Sequence, residues 1–202
     1  SPRRGPVCIN LPRNILAKKE NFKINEKIQS FDNQNSTKAK SNYIKKAVQI
    51  IKNSNKTVII AGAGIKYSLK YKNVVKLAEL LNVPIVTAAG HGDAIPFNHK
   101  LNAGQMGPRG NLVASKLVKN ANVIIALGTR LGFNSTFYSY ENINKKAKII
   151  QIELEKRMIG RYFPVAVGIY GDAATIAEQL YKEIKKQNII LDVQKWTNNY
   201  LN

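Results

Sequence analysis

The sequence predicts an α/β protein built on a Rossmann-like, doubly wound parallel sheet of about five to six strands with helices on both faces. Three observations carry that expectation. Short apolar runs such as Thr57–Ala61 and Val123–Leu127 are hydrophobic at every position, as strands buried on both faces must be, whereas half-buried strands alternate. Segments with helical spacing of apolar residues separate these runs, and the βαβ alternation needs a parallel sheet. Glycine-rich turns follow several of the runs, where such sheets gather ligands.

Residues 4–16 open with a turn and continue as a short apolar strand that Pro12 ends, because proline lacks the N–H that a ladder needs. Cys8 lies in this strand and is expected to be a buried thiol. Ala17 to Thr37 has no sustained period and is rich in Lys, Asn and Ser, which reads as a linker. From Thr37 to Asn53, Ala39, Tyr43, Ala47, Ile50 and Ile51 recur at helical spacing with Lys on the opposite face. Thr57–Ala61 is the first sheet strand; Gly62-Ala63-Gly64-Ile65 turns off it, and a helix covers about Ser68 to Asn82. A second strand spans 83–88, and a long loop reaches Arg109. A helix over Asn111–Lys119, strands over Val123–Leu127, Lys148–Leu154 and Val165–Tyr170, and a last helix over Asp172–Lys186 complete the order.

The chain has 202 residues, enough for one α/β domain with flanking arms. The expected division is an exit segment plus linker over 1–36, a central domain over 37–188, and a C-terminal linker over 189–202. Without an initiator Met, the chain is expected to come from a longer protein. No apolar run approaches the roughly 20 residues that a membrane span needs, so no membrane partner is expected. The net charge is +20, but the lysines are scattered along polar faces and not interleaved with aromatics, so no nucleic-acid partner is expected either. A lone cysteine forms no internal disulfide, and a reducing cytoplasm suits it.

Gly62 and Gly64 sit between strand and helix, where backbone N–H groups receive phosphate. The same spacing also serves a tight turn. The third glycine of the dinucleotide fingerprint is replaced by Tyr67, and no acidic residue ends the second strand, so a nicotinamide cofactor is not expected. The loop 104–110, with Gly104, Gly107 and Arg109, leads into a helix and offers amides and a cation to an anion. Gly128 and Arg130 lie at the carboxyl end of a strand, where Arg130 is either a ligand-binding cation or a loop-holding ion-pair partner. His91, Asp93 and His99 share one loop, but their spacing does not make a metal site or base the expected reading. No catalytic or metal-binding residue is assigned.

The motifs Arg3-Arg4-Gly5-Pro6-Val7, Ile9-Asn10-Leu11-Pro12-Arg13, Ala126 to Gly132 (ALGTRLG), Ile149-Ile150-Gln151-Ile152 and Val167 to Ala173 (VGIYGDA) follow one another over nine-tenths of the chain. In that order they resemble the central domain of thiamine-diphosphate enzymes of the acetolactate synthase and sulfoacetaldehyde acetyltransferase group, with the acetyltransferase branch the nearer. The resemblance implies a two-carbon transferase that uses thiamine diphosphate and Mg²⁺. It also implies that pyrimidine- and diphosphate-binding domains of the same chain lie outside these residues, and that the assembly is a homodimer or homotetramer. These 202 residues alone are then inactive. Gly171-Asp172-Ala173 with Asn198-Asn199 mimics the family's Mg²⁺–diphosphate motif, but the stretch matches the closing part of the central domain, where Asp172 starts the last helix. FAD or ADP bound at the loops holding Gly104, Gly107 and Arg109 and Gly128 and Arg130 is a further implication, and Gly62 and Gly64 join these candidates through their own turn. A stand-alone nucleotide-binding module is the alternative.

Overall fold

A computed structural model describes residues 6, 8–21 and 37–201. The chain divides into two compact units, residues 1–35 and 36–202. In the first, Arg13–Leu16 forms a single helical turn, α1, behind Pro12. The strand expected over 4–12 is not formed by its described residues, and Cys8 is exposed, not buried. The physical reason is that, among the described residues, no strand ladder includes this segment, and an unpaired strand leaves its backbone groups without partners. The linker expected over 17–37 falls largely outside the described residues.

The second unit holds a six-stranded sheet in the order β3-β2-β1-β4-β5-β6, parallel at every pairing. The strands are β1 (Thr57–Ala61), β2 (Ile85–Thr87), β3 (Asn102–Gln105), β4 (Val123–Leu127), β5 (Lys148–Glu153) and β6 (Val167–Tyr170). The sheet is the Rossmann-like α/β fold that the sequence predicts. β1 and β4 are buried at all five positions; because successive side chains point to opposite faces, both faces are covered.

The covering helices are α2 (Ser41–Lys52), α3 (Ala63–Ser68), α4 (Tyr71–Leu81), α5 (Leu112–Asn120), α6 (Phe133–Thr136), α7 (Ala173–Lys186) and α8 (Gln194–Leu201). Helix α7 packs on α2, α3 and α4. It presents Ala173, Ala174, Ile176, Ala177, Leu180 and Ile184 inward, and its small residues allow close helix contact.

Four local differences have physical explanations. β3 lies inside the expected loop; Asn-Ala-Gly-Gln carries no strand-like pattern, and only its pairing with β2 makes it a strand. The helix expected from Ser68 starts at Tyr71, because Leu69 takes a left-handed conformation and ends α3. The strand expected from Val165 starts at Val167, where pairing with Ile150 begins. Residues 194–201, within the segment expected to be a C-terminal linker, form α8 across the amino edge of the sheet. There the Trp196 indole N–H donates to Thr57 O at 3.1 Å and the Thr197 hydroxyl to Asn82 O at 2.7 Å.

Candidate functional site

The strand order reverses between β1 and β4, and the crevice at their carboxyl ends is where open α/β sheets bind ligands. Three of the seven candidate residues meet there. The Gly62 N–H donates to Leu127 O and the Gly64 N–H to Gly128 O, each at 3.0 Å, and the Gly128 N–H donates to Ile152 O at 2.9 Å. A Cβ on Gly62 would stand 2.5 Å from Gly128 O, one on Gly64 2.7 Å from Gly128 Cα, and one on Gly128 2.6 Å from Gly64 Cα. The turn after β1 therefore rests directly on the turn after β4, backbone on backbone. These three amides are engaged within the chain, so the glycines serve by keeping the crevice floor free of side chains.

Arg130 follows on an exposed position, and among the described residues it forms no ion pair. Its turn is held from below. The buried Gln151 amide donates to Thr129 O at 3.1 Å and to Met158 O at 3.2 Å, and the Gln151 carbonyl accepts from the Gly160 N–H at 2.8 Å. The Thr129 hydroxyl accepts from the Leu131 N–H at 3.2 Å. Leu131, Phe137 and Tyr138 all have positive φ, which side chains disfavour. The same excursion exposes Phe133, Phe137 and Tyr138, with Tyr138 stacked on Tyr162 at 4.3 Å.

The loop 104–110 closes on itself. The Asn111 N–H donates to Gln105 O at 2.6 Å, while its side chain accepts from the Val113 N–H at 2.7 Å and caps α5. Gly104 and Gly107 have φ of +92° and +98°, and a side chain on Gly107 would collide with Asn134 O of α6. This loop and the turn after β4 are thus in contact through Gly107. Arg109 is exposed, and among the described residues no ion pair joins it to another side chain.

The turn after β2, which the sequence reading left out of its site, binds these pieces together. The Ala89 N–H donates to the Ser135 hydroxyl at 3.0 Å and the Gly90 N–H to the Gln105 side chain at 3.1 Å. Lys66 of α3 pairs with Asp93 at 2.9 Å, and the His91 ring meets Tyr67 edge-on at 6.4 Å. Thr87 is only 1% exposed. Its hydroxyl and the His91 Nδ1 are the two buried side-chain atoms among the described residues that have no hydrogen-bond partner. The presence of His91 and Asp93 in one loop was legible in the sequence; that α3 delivers Lys66 and Tyr67 to them was not, because α3 lies a strand and a helix earlier in the chain. His99 goes elsewhere, 3.3 Å from Glu79 of α4.

Burial holds the His91 imidazole below the usual histidine range, with Lys66 and Arg130 adding to the effect and Asp93 opposing it. The unfolded chain therefore takes up a proton at higher pH than the folded one. This contribution to stability is complete above about pH 6.5 and is lost as pH falls through the lower, folded value. We expect the urea midpoint of the wild type to fall between pH 7.5 and pH 5.5 by more than that of His91→Gln; parallel declines would refute the assignment.

Asp172 accepts from the Thr175 N–H at 2.7 Å and caps α7, where the helix dipole favours its charge.

A family model described as thiamine pyrophosphate enzyme, central domain, matches residues 44–180. The chain is 33% identical to the sulfoacetaldehyde acetyltransferase of Alcaligenes xylosoxydans xylosoxydans over 193 residues, which are 95% of this chain and 31% of that protein. It is 33% identical to the sulfoacetaldehyde acetyltransferase of Roseovarius nubinhibens over 182 residues, 89% of this chain and 30% of that protein. A probable acetolactate synthase large subunit of Methanococcus aeolicus is 29% identical over 208 residues, 98% of this chain and 35% of that protein. The chain thus spans about a third of the length of these relatives.

Proposed function

We propose that this chain, which belongs to the central-domain family of thiamine pyrophosphate enzymes, is the scaffold domain of a two-carbon transferase of the sulfoacetaldehyde acetyltransferase type. The whole enzyme would convert sulfoacetaldehyde and phosphate to acetyl phosphate and sulfite. The observation that carries this reading is the 33% identity to a sulfoacetaldehyde acetyltransferase over 95% of the chain. An acetolactate synthase activity is the second reading, supported by the match to a probable large subunit over 98% of the chain.

Thiamine diphosphate is the cofactor that names the family, and in this reading Mg²⁺ accompanies it. The residues described here do not fit that pair. The Asp172 carboxylate is committed to the Thr175 N–H, and among the described residues no group of three or more His, Cys, Asp and Glu side chains is gathered as a metal would require. We therefore assign this domain no step of the thiamine chemistry. Its contribution is to carry and orient pyrimidine- and diphosphate-binding domains of the same polypeptide, in a homodimer or homotetramer in the cytoplasm. No helix among the described residues is long and apolar enough to cross a membrane.

The domain's own ligand, in this reading, is FAD or ADP at the β1/β4 crevice. Gly62, Gly64 and Gly128 permit close approach, Gly104 and Gly107 shape the neighbouring loop, and Arg109 and Arg130 supply charge. The exposed Arg130, which makes no ion pair among the described residues, supports it.

The activity is tested on the product of the coding region that contains these residues, supplied with thiamine diphosphate and Mg²⁺. Formation of acetyl phosphate and sulfite from sulfoacetaldehyde and phosphate is expected. Acetolactate formed from pyruvate instead would replace the first reading with the second. Calorimetric titration of the 202-residue chain with FAD and ADP tests the nucleotide, and Arg130→Ala is expected to weaken binding; no heat with either ligand would end that part of the proposal.

A further inference from the structure

Phe133, Phe137 and Tyr138 are 52%, 44% and 47% exposed in the crossover between β4 and β5. They are not scattered. The Phe133 ring lies 5.0 Å from that of Phe137 and 5.6 Å from that of Tyr138, Tyr138 stacks on Tyr162 at 4.3 Å, and the Arg161 guanidinium sits 5.5 Å from the Tyr162 ring. Four rings and a cation thus form one continuous ledge. Single exposed apolar residues need no explanation, but a contiguous cluster does.

The backbone beneath the ledge is strained to keep it there. Phe137 and Tyr138 have φ of 50° and 56°, a left-handed conformation that asparagine tolerates and bulky side chains disfavour. Such residues persist only where their surroundings over-determine them. The buried Thr136 does so here: its hydroxyl donates to Leu131 O at 2.9 Å and accepts from the Tyr138 N–H at 3.2 Å, while the Asn142 side chain donates to Thr136 O at 3.2 Å. The strain is held, yet the rings stay about half exposed.

Size and charge select the occupant. Three half-exposed rings present on the order of 300 Å², well below the roughly 800 Å² per partner of a stable interface between separate molecules. A second copy is further opposed by the net charge of +20 on each chain. A covalently tethered partner needs far less area, because its effective concentration is already high. Beside the ledge, Arg130 and Arg161 are exposed and make no ion pair among the described residues, and the Arg130 charge is felt at the Tyr138 hydroxyl. Glu141 is the only acidic residue in the sequence from Arg130 to Lys148. A complementary face is therefore apolar at its centre and acidic at its rim.

We propose that Phe133, Phe137, Tyr138 and Tyr162, with Arg161, form a docking ledge for another domain of the same polypeptide, which meets it with an apolar centre and an acidic rim. The inference rests on the reading above that further domains share the polypeptide.

The test is hydroxyl-radical footprinting read by mass spectrometry, on the 202-residue chain and on the product of the coding region that contains it. Phe133, Phe137 and Tyr138 are expected to be oxidised about tenfold more slowly in the longer product, because the centre of an interface excludes water. Arg161→Glu in that product is expected to move their rates toward those of the 202-residue chain; unchanged rates overturn the acidic rim. Phe137→Asn, which suits the left-handed angle, is expected to leave the urea midpoint of the 202-residue chain at or above that of the wild type. A midpoint well below it would show that the ring serves this domain's own fold and overturn the ledge. Equal oxidation rates in the two proteins also overturn the ledge, and the functional reading survives if that longer product forms acetyl phosphate and sulfite. Slow oxidation in a product with a different activity leaves the ledge standing and retires the activity. Slow oxidation in the 202-residue chain that fades on dilution identifies a second copy as the occupant, and slow oxidation that persists identifies the chain's own residues; either result overturns the proposal. A coding region with no domain beyond these residues ends both the reading and the ledge.

Discussion

Gly128→Ala is expected to destabilise the protein by at least about 3 kcal/mol, from two additive causes. The residue has φ of +61°, where a Cβ is disfavoured, and that Cβ would stand 2.6 Å from Gly64 Cα. The colliding atom is backbone, so no side-chain rotation relieves it. Relief requires the turn after β1 to part from the turn after β4, which breaks the bond between the Gly64 N–H and Gly128 O. Urea unfolding followed by circular dichroism measures the loss. The control is Gly132→Ala in the same turn, where a Cβ meets nothing within 4 Å and φ is not positive; its midpoint is expected to stay near that of the wild type. Similar midpoints for the two variants would show that the crevice floor is not the close-packed junction described.

Trp196→Ala is expected to cost about 3–5 kcal/mol, the range for removing a large aromatic from a packed site. Trp196 is 7% exposed, packs edge-on against Tyr200 at 4.8 Å and donates to Thr57 O. Its loss undocks α8 from the amino ends of β1 and the turn before β2, and it also leaves Thr57 O without that donor. Trp196→Phe separates the effects, since it forfeits mainly the hydrogen bond and is expected to cost about 1 kcal/mol plus the lost ring volume. The observable is again the urea midpoint. A Trp196→Ala midpoint equal to that of the wild type would mean that α8 is not docked in solution and that the segment behaves as the linker its composition suggests.

The parts of the fold that the sequence made legible are those whose burial is complete. Thr57–Ala61 and Val123–Leu127 are apolar at every position and appear as strands with the expected bounds. The helix ending at Lys186 was legible from both ends, with Asp172 as its cap and lysines in its last turn. β3 was not legible. Its residues Asn102, Ala103, Gly104 and Gln105 have no periodicity of their own, and an edge strand is defined by the neighbour that it pairs with. α8 was hidden for a related reason: Gln-Lys-Trp-Thr-Asn-Asn-Tyr-Leu is mostly polar, and the value of Trp196 as an anchor depends on the sheet edge that receives it.

The candidate site divides in the same way. Its glycines were visible because few other residues meet their conformational demands, and Gly104, Gly107 and Gly128 do have positive φ. Whether Gly62 and Gly64 offer their amides to a ligand or to the chain itself was open, since a turn of either kind needs the same two residues. Their partners, Leu127 O and Gly128 O, lie more than 60 residues away.

Local chemistry thus settles strand burial, helix caps and the need for glycine, because each depends on a residue and its near neighbours. The family too is legible at this level, as an ordered set of short motifs. The meeting of the β1 and β4 turns and the delivery of Lys66 to Asp93 are properties of the folded chain alone. They depend on distances between residues remote in sequence, which the order of strands in the sheet sets and no local pattern encodes.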